Sequence, residues 1–259
     1  MIDSSRTMDR GKWHWAGGFT LVELMVSVTI ALFLIGGALT IVARTKNTFA
    51  AQNQLAQLQD NERLAMTFMA EVIETGGYFP NPKLYQASNV LPVVAGTFAT
   101  AGQAVYGTHL TTVPNDDVYV RFGAGLNDNV YGCTGASNTT VGPYDTYTNR
   151  FWVKTTGLGV GQASELMCTF TNAAGAVTTV PLVNGVTNMV IFYGVKRNPV
   201  DTQSCADSYL KASQMAAADW TNVCSISVTL SFANPLSTTA APIQINRVIA
   251  VMMTAGVNP

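Results

Sequence analysis

Glu23 places a carboxylate inside an apolar stretch near the start of the chain. The 25 residues from Phe19 to Ala43 contain no other charged side chain. An acidic residue in lipid is costly unless it is paired, so it indicates a function by default. We therefore expect Glu23 to meet a cationic group. The alternative is a position at the level of the lipid headgroups, where the side chain reaches the membrane surface.

Catalytic chemistry has few residues to draw on. His14 precedes the apolar stretch, so a Ser-His-Asp arrangement would have to use His109, with Asp116 or Asp117 to orient its ring. A single histidine on a Thr-rich segment is more often an ordinary surface residue. The sequence thus predicts no catalytic residue and a protein that is not an enzyme.

Acidic residues offer equally weak candidates for a sugar-cleaving or metal site. Asp145 and Glu165 are an unconstrained carboxylate pair for glycoside hydrolysis. The segments "PNDD" (114–117) and "LNDN" (126–129) supply oxygen atoms for calcium but lack EF-hand spacing, and Asn and Asp are common in turns. We predict no metal and no cofactor.

All four cysteines follow the apolar stretch: Cys133, Cys168, Cys205 and Cys224. If that part of the chain is exported, an oxidising compartment permits disulfides, and four cysteines allow three pairings. The order of the cysteines along the chain suggests that each pairs with its nearest neighbour, Cys133 with Cys168 and Cys205 with Cys224. A CxxC pair is absent from the sequence, so a zinc site or a thioredoxin-like site has no support.

Composition and charge favour a large core and disfavour nucleic acid. Of 259 residues, 48% are hydrophobic and 11% charged, and the net charge is −1. Nucleic-acid binding needs clustered Lys and Arg, which this chain lacks.

The apolar stretch is long enough to cross a bilayer, for which about 20 residues suffice. The segment before it is mildly basic, which favours the cytoplasmic side. Its charged residues are Arg6, Arg10, Lys12, Asp3 and Asp9. We expect a single membrane-spanning segment, with the part of the chain that follows it outside the cytoplasm.

A helical pattern continues beyond the apolar stretch. Apolar residues recur at spacings of three, four or seven, which predicts one helix face, and Gly76 and Gly77 predict its end. The sequence predicts one helix over 19–75, with a hydrophobic first half (19–43) and an amphipathic second half. The predicted stripe comprises Ala51, Leu55, Leu58, Ala65, Met69 and Val72.

After Tyr78 the sequence is typical of strands and turns. The segment "CSISVTLSF" (224–232) alternates apolar and polar residues, which predicts a strand with one buried face. The class is therefore α+β, with the long N-terminal helix packed on a mainly antiparallel, β-rich domain over 76–259. Further predicted strands are "DDVYVRFG" (116–123), "RFWVKT" (150–155), "SELMCTF" (164–170), "TNMVIFYGV" (187–195) and "RVIAVMM" (247–253).

The segment "GGFTLVEL" (17–24) resembles the type III signal sequence of type IV pilins and pseudopilins. That resemblance implies a leader over 1–18, cleavage between Gly18 and Phe19, and N-methylation of Phe19. Glu23 becomes the fifth residue of the mature chain. The new terminal amine lies four residues from Glu23, about 6 Å along a helix, so the two charges can neutralise each other within one chain or between neighbours.

Later segments, among them "NRFWVKTTG", "PLVNGVTNMVIFYGV" and "VCSISVTLSF", resemble PilW-type minor pilins of the type IV pilus. This implies a pilin-like fold and a role in initiating and priming pilus assembly at the tip. The implied partners are other minor pilins, the major pilin, the prepilin peptidase and inner-membrane lipid, with no direct contact to nucleic acid. The resemblance also implies a single-pass protein of the inner membrane, with its C-terminal domain in the periplasm before assembly. The implied final location is the pilus on the cell surface, which serves twitching motility and cell adhesion.

Three alternatives remain open at this point. A minor pseudopilin of a type II secretion system shares every N-terminal feature, and the β-rich domain could be an adhesin displayed on the pilus. An ordinary signal peptide would be cleaved near Ala38 instead. Gly36 and Gly37 indicate either a point where the helix stretches in a filament or close packing between helices.

Overall fold

The chain divides into two compact units, Met1–Gln52 and Asn53–Pro259. We describe each unit separately from a computed structural model. The residues that the structure describes are 18–109, 115–138, 142–155, 164–198, 205–237 and 239–252.

One long helix, α1, spans Leu21–Glu74 and continues from the first unit into the second. It begins two residues later and ends one residue earlier than the sequence predicts. In the first unit its apolar side chains are exposed, whereas in the second unit one side of the helix is buried in the β-rich domain. The buried residues are Leu58, Ala65, Met66, Met69, Ala70, Val72 and Ile73.

The second unit contains two antiparallel sheets in its described part. The first has the strand order β1-β2-β3-β4-β5 and the second the order β7-β6-β8-β9. Their bounds are β1 Val105–His109, β2 Asp116–Ala124, β3 Asp145–Thr155, β4 Ser164–Thr171, β5 Val177–Asn184, β6 Val186–Val195, β7 Ser208–Leu210, β8 Val223–Phe232 and β9 Ile243–Ala250. A short helix, α2 (Ala87–Val90), and two 3-10 helices (Ala212–Gln214 and Asp219–Asn222) lie in the connections.

The core forms where the inner faces of both sheets meet the second half of α1. On the first sheet the buried row runs from Val118 through its partner Phe151 to Cys168. On the second sheet Ile191 pairs with Val228, and both are buried. These residues belong to one continuous cluster with the buried residues of α1, so the predicted α+β class is confirmed.

All six strands that the sequence predicts are present, as β2, β3, β4, β6, β8 and β9. β1, β5 and β7 were not predicted. β3 starts five residues before the predicted segment, and β9 is shifted towards the N-terminus by three to four residues. β5 contains Pro181 and lies at a sheet edge, a position where proline is tolerated.

Candidate functional site

The start of α1 has the geometry of a capped helix that holds an acidic residue in its first turn. The Thr20 hydroxyl accepts a hydrogen bond from the backbone N–H of Glu23 at 3.2 Å. The carboxylate of Glu23 therefore lies near the positive end of the helix dipole, which favours a negative charge there. Phe19, just before the helix, is 81% exposed. The Glu23 side chain contacts no cation within the described residues.

The first unit presents a long apolar surface to its surroundings. α1 is long and apolar enough to cross a membrane, and none of its most apolar segment is buried within the protein. Exposed large side chains run from Phe19 to Val42, with Phe49 beyond them. Burying this much apolar surface is strongly favourable, which suggests membrane anchoring.

Gly36 and Gly37 lie within this exposed part of α1. A Cβ atom at either position would meet nothing within 4 Å in the described structure. Contacts with the described residues therefore do not explain these glycines. Both interpretations from the sequence stay open.

The side chains of His109 and Asp116 are in contact, but the hydrogen bonds around them connect strands and do not form a catalytic arrangement. The Nδ1 atom of His109 lies 2.5 Å from the Asp116 carboxylate. The other carboxylate oxygen accepts the backbone N–H of Ile191 at 2.7 Å, and Asn115 accepts the N–H of Met189. Among the described residues, β7 pairs with Tyr193–Val195 of β6 and leaves the earlier part of that strand without a partner on this side. The side chains of Asn115 and Asp116 thus accept hydrogen bonds from the backbone N–H groups of β6 that have no partner in β7.

The other acidic candidates are far apart or already occupied. Asp145 is opposite Ala124 at one end of β3, while Glu165 is opposite Lys154 near the other end. Lys154 is nine residues along β3 from Asp145, so about 30 Å of strand separates the positions of Asp145 and Glu165. No group of three or more His, Cys, Asp or Glu side chains in the described ranges could hold a metal ion.

The segment "LNDN" forms a turn held by protein donors. The Asp128 carboxylate accepts hydrogen bonds from the Tyr78 hydroxyl and the Gly125 N–H, at 3.1 and 2.7 Å. Asn127 and Asn129 have positive φ angles of 66° and 51°, which Asn tolerates better than most residues. The geometry is that of a turn.

The outer face of the first sheet carries an aromatic and cationic surface, which we call the Arg150 platform (Tyr119, Arg150, Trp152 and Thr169). The guanidinium of Arg150 lies 5.4 Å from the Tyr119 ring centre and 5.2 Å from that of Trp152. Its Nε donates to Asp117 at 3.0 Å, so Asp117 neutralises its charge. The indole N–H of Trp152 donates to Thr169 at 3.1 Å. The side chains of the platform are half-exposed and held by these contacts, and Asp117 balances the charge of Arg150.

Arg121 is a buried cation that no sequence pattern indicates. It is fully buried and donates hydrogen bonds to the backbone carbonyls of Gln103, Pro92 and Leu91. Its guanidinium lies 4.1 Å from the centre of the Phe98 ring. Burial lowers the pKa of Arg121 to about 10. The residue fixes the segment around α2 over β2.

The structure contains two disulfides, Cys133–Cys168 and Cys205–Cys224, with Cα atoms 6.2 and 6.1 Å apart. These are the pairs that local order suggested. The first ties the loop after β2 to the middle of β4, and both of its cysteines are buried. The second joins the connection before β7 to the start of β8.

Together, the long helix with an exposed apolar first half and the antiparallel β-rich domain define the α+β architecture that the resemblance to pilins implies. The family model described as Type IV Pilus-assembly protein W matches residues 150–246, from within β3 into β9. The match supports a PilW-type type IV pilus protein and confirms the resemblance drawn from the sequence. No curated protein matches the chain.

Proposed function

We propose that this chain is a minor pilin, which helps to initiate and prime assembly of the type IV pilus at its tip together with other minor pilins. One observation carries the proposal. α1 is apolar and wholly exposed from its start to beyond Val42, yet from Leu58 onward one side of it is buried in a β-rich domain. The exposed half needs an apolar environment, which the inner membrane and then the core of a filament supply in turn.

In this proposal a prepilin peptidase cleaves after Gly18, and the amine of Phe19 becomes methylated. The carboxylate of Glu23 then pairs with a terminal amine, in the same chain or in a neighbour. Pairing between subunits stabilises one axial register of neighbouring helices, because any other register leaves a charge unpaired in an apolar environment. The chain is thus an assembly component whose β-rich domain selects partners from the periplasmic side before it reaches the cell surface. Catalysis is not part of this role.

The first test is intact-mass and N-terminal mapping of the mature chain recovered from membranes and from sheared surface fibres. We expect a chain that starts at Phe19 and carries one additional methyl group. A start near Ala38 would mean that Glu23 is removed with a signal peptide, and would overturn the proposal.

A second test addresses the charge of Glu23. Glu23→Gln keeps the size of the side chain but removes the charge, so we expect the variant to insert in the membrane and to be lost from surface fibres. Glu71→Gln is the matched control, because Glu71 is exposed on the second half of the same helix. Equal amounts of both variants in the fibres would contradict the role assigned to Glu23.

A pilus-displayed binding module is the second candidate, and the Arg150 platform is the observation that favours it. Flat, half-exposed aromatic rings beside fixed hydrogen-bonding groups are suited to the apolar face and hydroxyls of a neutral sugar. A glycan array probed with the detergent-solubilised full chain tests this function. The module predicts a signal that Trp152→Ala removes, whereas a subunit that only assembles gives none.

A further inference from the structure

The edge strands of the two sheets differ in how they are protected. β1 is covered by the segment with the two 3-10 helices, where the Trp220 ring lies 5.3 Å from that of Tyr106. β5 contains Pro181 and pairs with β4 through an irregular register at Leu166 and Met167. β7 is only three residues long. Covering, proline, bulges and short length are the usual means by which proteins prevent further strand pairing.

β9 is the edge strand that has none of these features. It is eight residues long, lacks proline, and pairs with β8 in an unbroken register from Ile243 to Ala250. Its neighbour in the described sheet is β8 alone. A strand of this kind offers a row of unpaired backbone donors and acceptors.

The register shows which backbone groups of β9 face outward. The N–H of Val251 donates to the carbonyl of Cys224 at 2.9 Å, directly after the end of the strand. In an antiparallel pair alternate residues are bonded to the partner, so Arg247 and Ile249 bond to β8. The N–H and C=O groups of Asn246 and Val248, which alternate with them, therefore point away from the sheet.

A groove between α1 and β9 lies beside this open edge. Its lining includes Glu62, Arg63 and Met66 from α1, and Ile245, Asn246 and Arg247 from β9. Within the described residues, none of the three charged side chains forms an ion pair. One carboxylate oxygen of Glu62 is buried without a hydrogen-bond partner, and burial raises the pKa of Glu62. Buried polar groups are normally satisfied, so an unsatisfied carboxylate oxygen in a groove that is also lined by Arg63 and Arg247 points to a missing binding partner.

We propose that β9 is a docking edge for an extended segment of a different pilus subunit, which adds to the second sheet as a further strand. The added strand hydrogen-bonds to Asn246 and Val248 through its backbone. Its side chains carry both signs of charge into the groove, with a Lys or Arg that reaches Glu62 and a carboxylate that reaches Arg63 or Arg247. The inference rests on the proposed function, because the occupant is another component of the same pilus.

Charge favours a different chain over a second copy of this one. If two copies paired antiparallel about the middle of β9, their Arg247 side chains would lie next to each other. Like charges in facing positions are destabilising. A partner with the complementary pattern avoids that cost and also satisfies Glu62.

The experiment places a photo-reactive amino acid at Gln244 in the full-length chain, expressed in its own cells. Val248→Pro is combined with this probe, because it removes an outward N–H and leaves the hydrogen bonds to β8 intact. Val248→Ala is the matched control, since it shortens the same side chain and keeps the N–H. A probe at Val177 on the protected edge β5 controls for random collisions, as Val177 is also exposed.

We expect an adduct between Gln244 and another pilus subunit, identified by mass spectrometry, and no such adduct from Val177. Val248→Pro should lower its yield about tenfold, while Val248→Ala should leave it nearly unchanged. Correct disulfides and an unchanged melting temperature would show that the proline variant folds. The inference is overturned by an adduct with a second copy of this chain, by an equal yield in the proline variant, or by no adduct at Gln244.

The yield of surface fibres separates this inference from the proposed function. If deletion of the chain leaves fibre assembly unchanged, the priming role fails. If deletion abolishes the fibres but Gln244 yields no adduct, only the docking edge fails.

Discussion

Arg121 is a single residue on which a long segment of the chain depends. Its guanidinium donates hydrogen bonds to the carbonyls of Gln103 and Pro92, whereas the carbonyl of Leu91 also accepts a hydrogen bond from the N–H of Gly102. We expect Arg121→Met to lower the free energy of unfolding by about 2 kcal/mol, because the buried carbonyl of Gln103 and the partly buried carbonyl of Pro92 then lose this donor. Urea unfolding measures this. Arg63→Met, at an exposed position, should change stability by less than about 0.5 kcal/mol.

The charge of Arg121 also determines how this cost depends on pH. Burial lowers its pKa from the ordinary value of an arginine to about 10. Between these values the unfolded chain binds more protons than the folded chain, so the contribution of Arg121 to stability rises with pH there. Below pH 10 both states hold the proton. The difference between Arg121→Met and the parent should therefore stay constant from about pH 6 to about pH 9, and a slope across that range would contradict a charged Arg121 in the fold.

At the scale of elements, the two sheets meet where Tyr193 of β6 lies over Gly107 of β1. A Cβ atom at Gly107 would overlap the Tyr193 hydroxyl, whose oxygen is buried and lacks a hydrogen-bond partner among the described residues. We expect Gly107→Ala to lower the melting temperature, at a cost of about 1 to 3 kcal/mol. Tyr193→Phe alone should be close to neutral, because it removes an unsatisfied group.

The double variant provides the sharper result. Tyr193→Phe removes the atom that Gly107→Ala would strike first, so the two changes should cost less together than the sum of their separate costs. Gly142→Ala is the control, since a Cβ there meets nothing within 4 Å. Additive costs would show that the two sheets do not meet through this contact.

The two disulfides should differ in their resistance to reduction. Cys133 and Cys168 are 3% and 0% exposed, whereas Cys205 is an exposed residue. A thiolate must reach a sulfur atom to exchange with it. A mild reductant acting on the folded protein should therefore open Cys205–Cys224 first, as read by differential alkylation and mass spectrometry. Reduction of Cys133–Cys168 at the same rate would contradict the burial of that pair.

The elements that the sequence predicts correctly are those whose own pattern is periodic. The stripe of α1 and the alternation in β8 follow from which side of each element faces the core. β5 was missed because Pro181 and its exposed threonines resemble a loop, and only its place at a sheet edge permits a strand. The Arg121 contacts could not be predicted, because their acceptors are backbone carbonyls that carry no signature in the side-chain sequence.

At the scale of the whole molecule, the boundary between helix and domain lies within α1 and not at its end. The sequence suggested a β-rich domain over 76–259, and the compact unit that contains this segment begins at Asn53. Seven residues of α1 between Leu58 and Ile73 are buried in the common core of that unit. Their side chains pack in the core of the domain, while their backbone groups belong to α1.

A pair of truncations tests this boundary. A fragment over 53–259, secreted so that its disulfides form, should be soluble and fold cooperatively, because it retains the buried face of α1 and loses the exposed apolar side chains up to Phe49. A fragment over 76–259 exposes the core that Met69 and Ile73 cover, at a cost of about 2 to 5 kcal/mol for each large side chain lost. That total is comparable to the whole stability of a domain, so the shorter fragment should aggregate or show no unfolding transition by circular dichroism. If both fragments melt at the same temperature, the second half of α1 contributes nothing to the core, and the helix would instead be an independent element joined to a self-sufficient sheet domain.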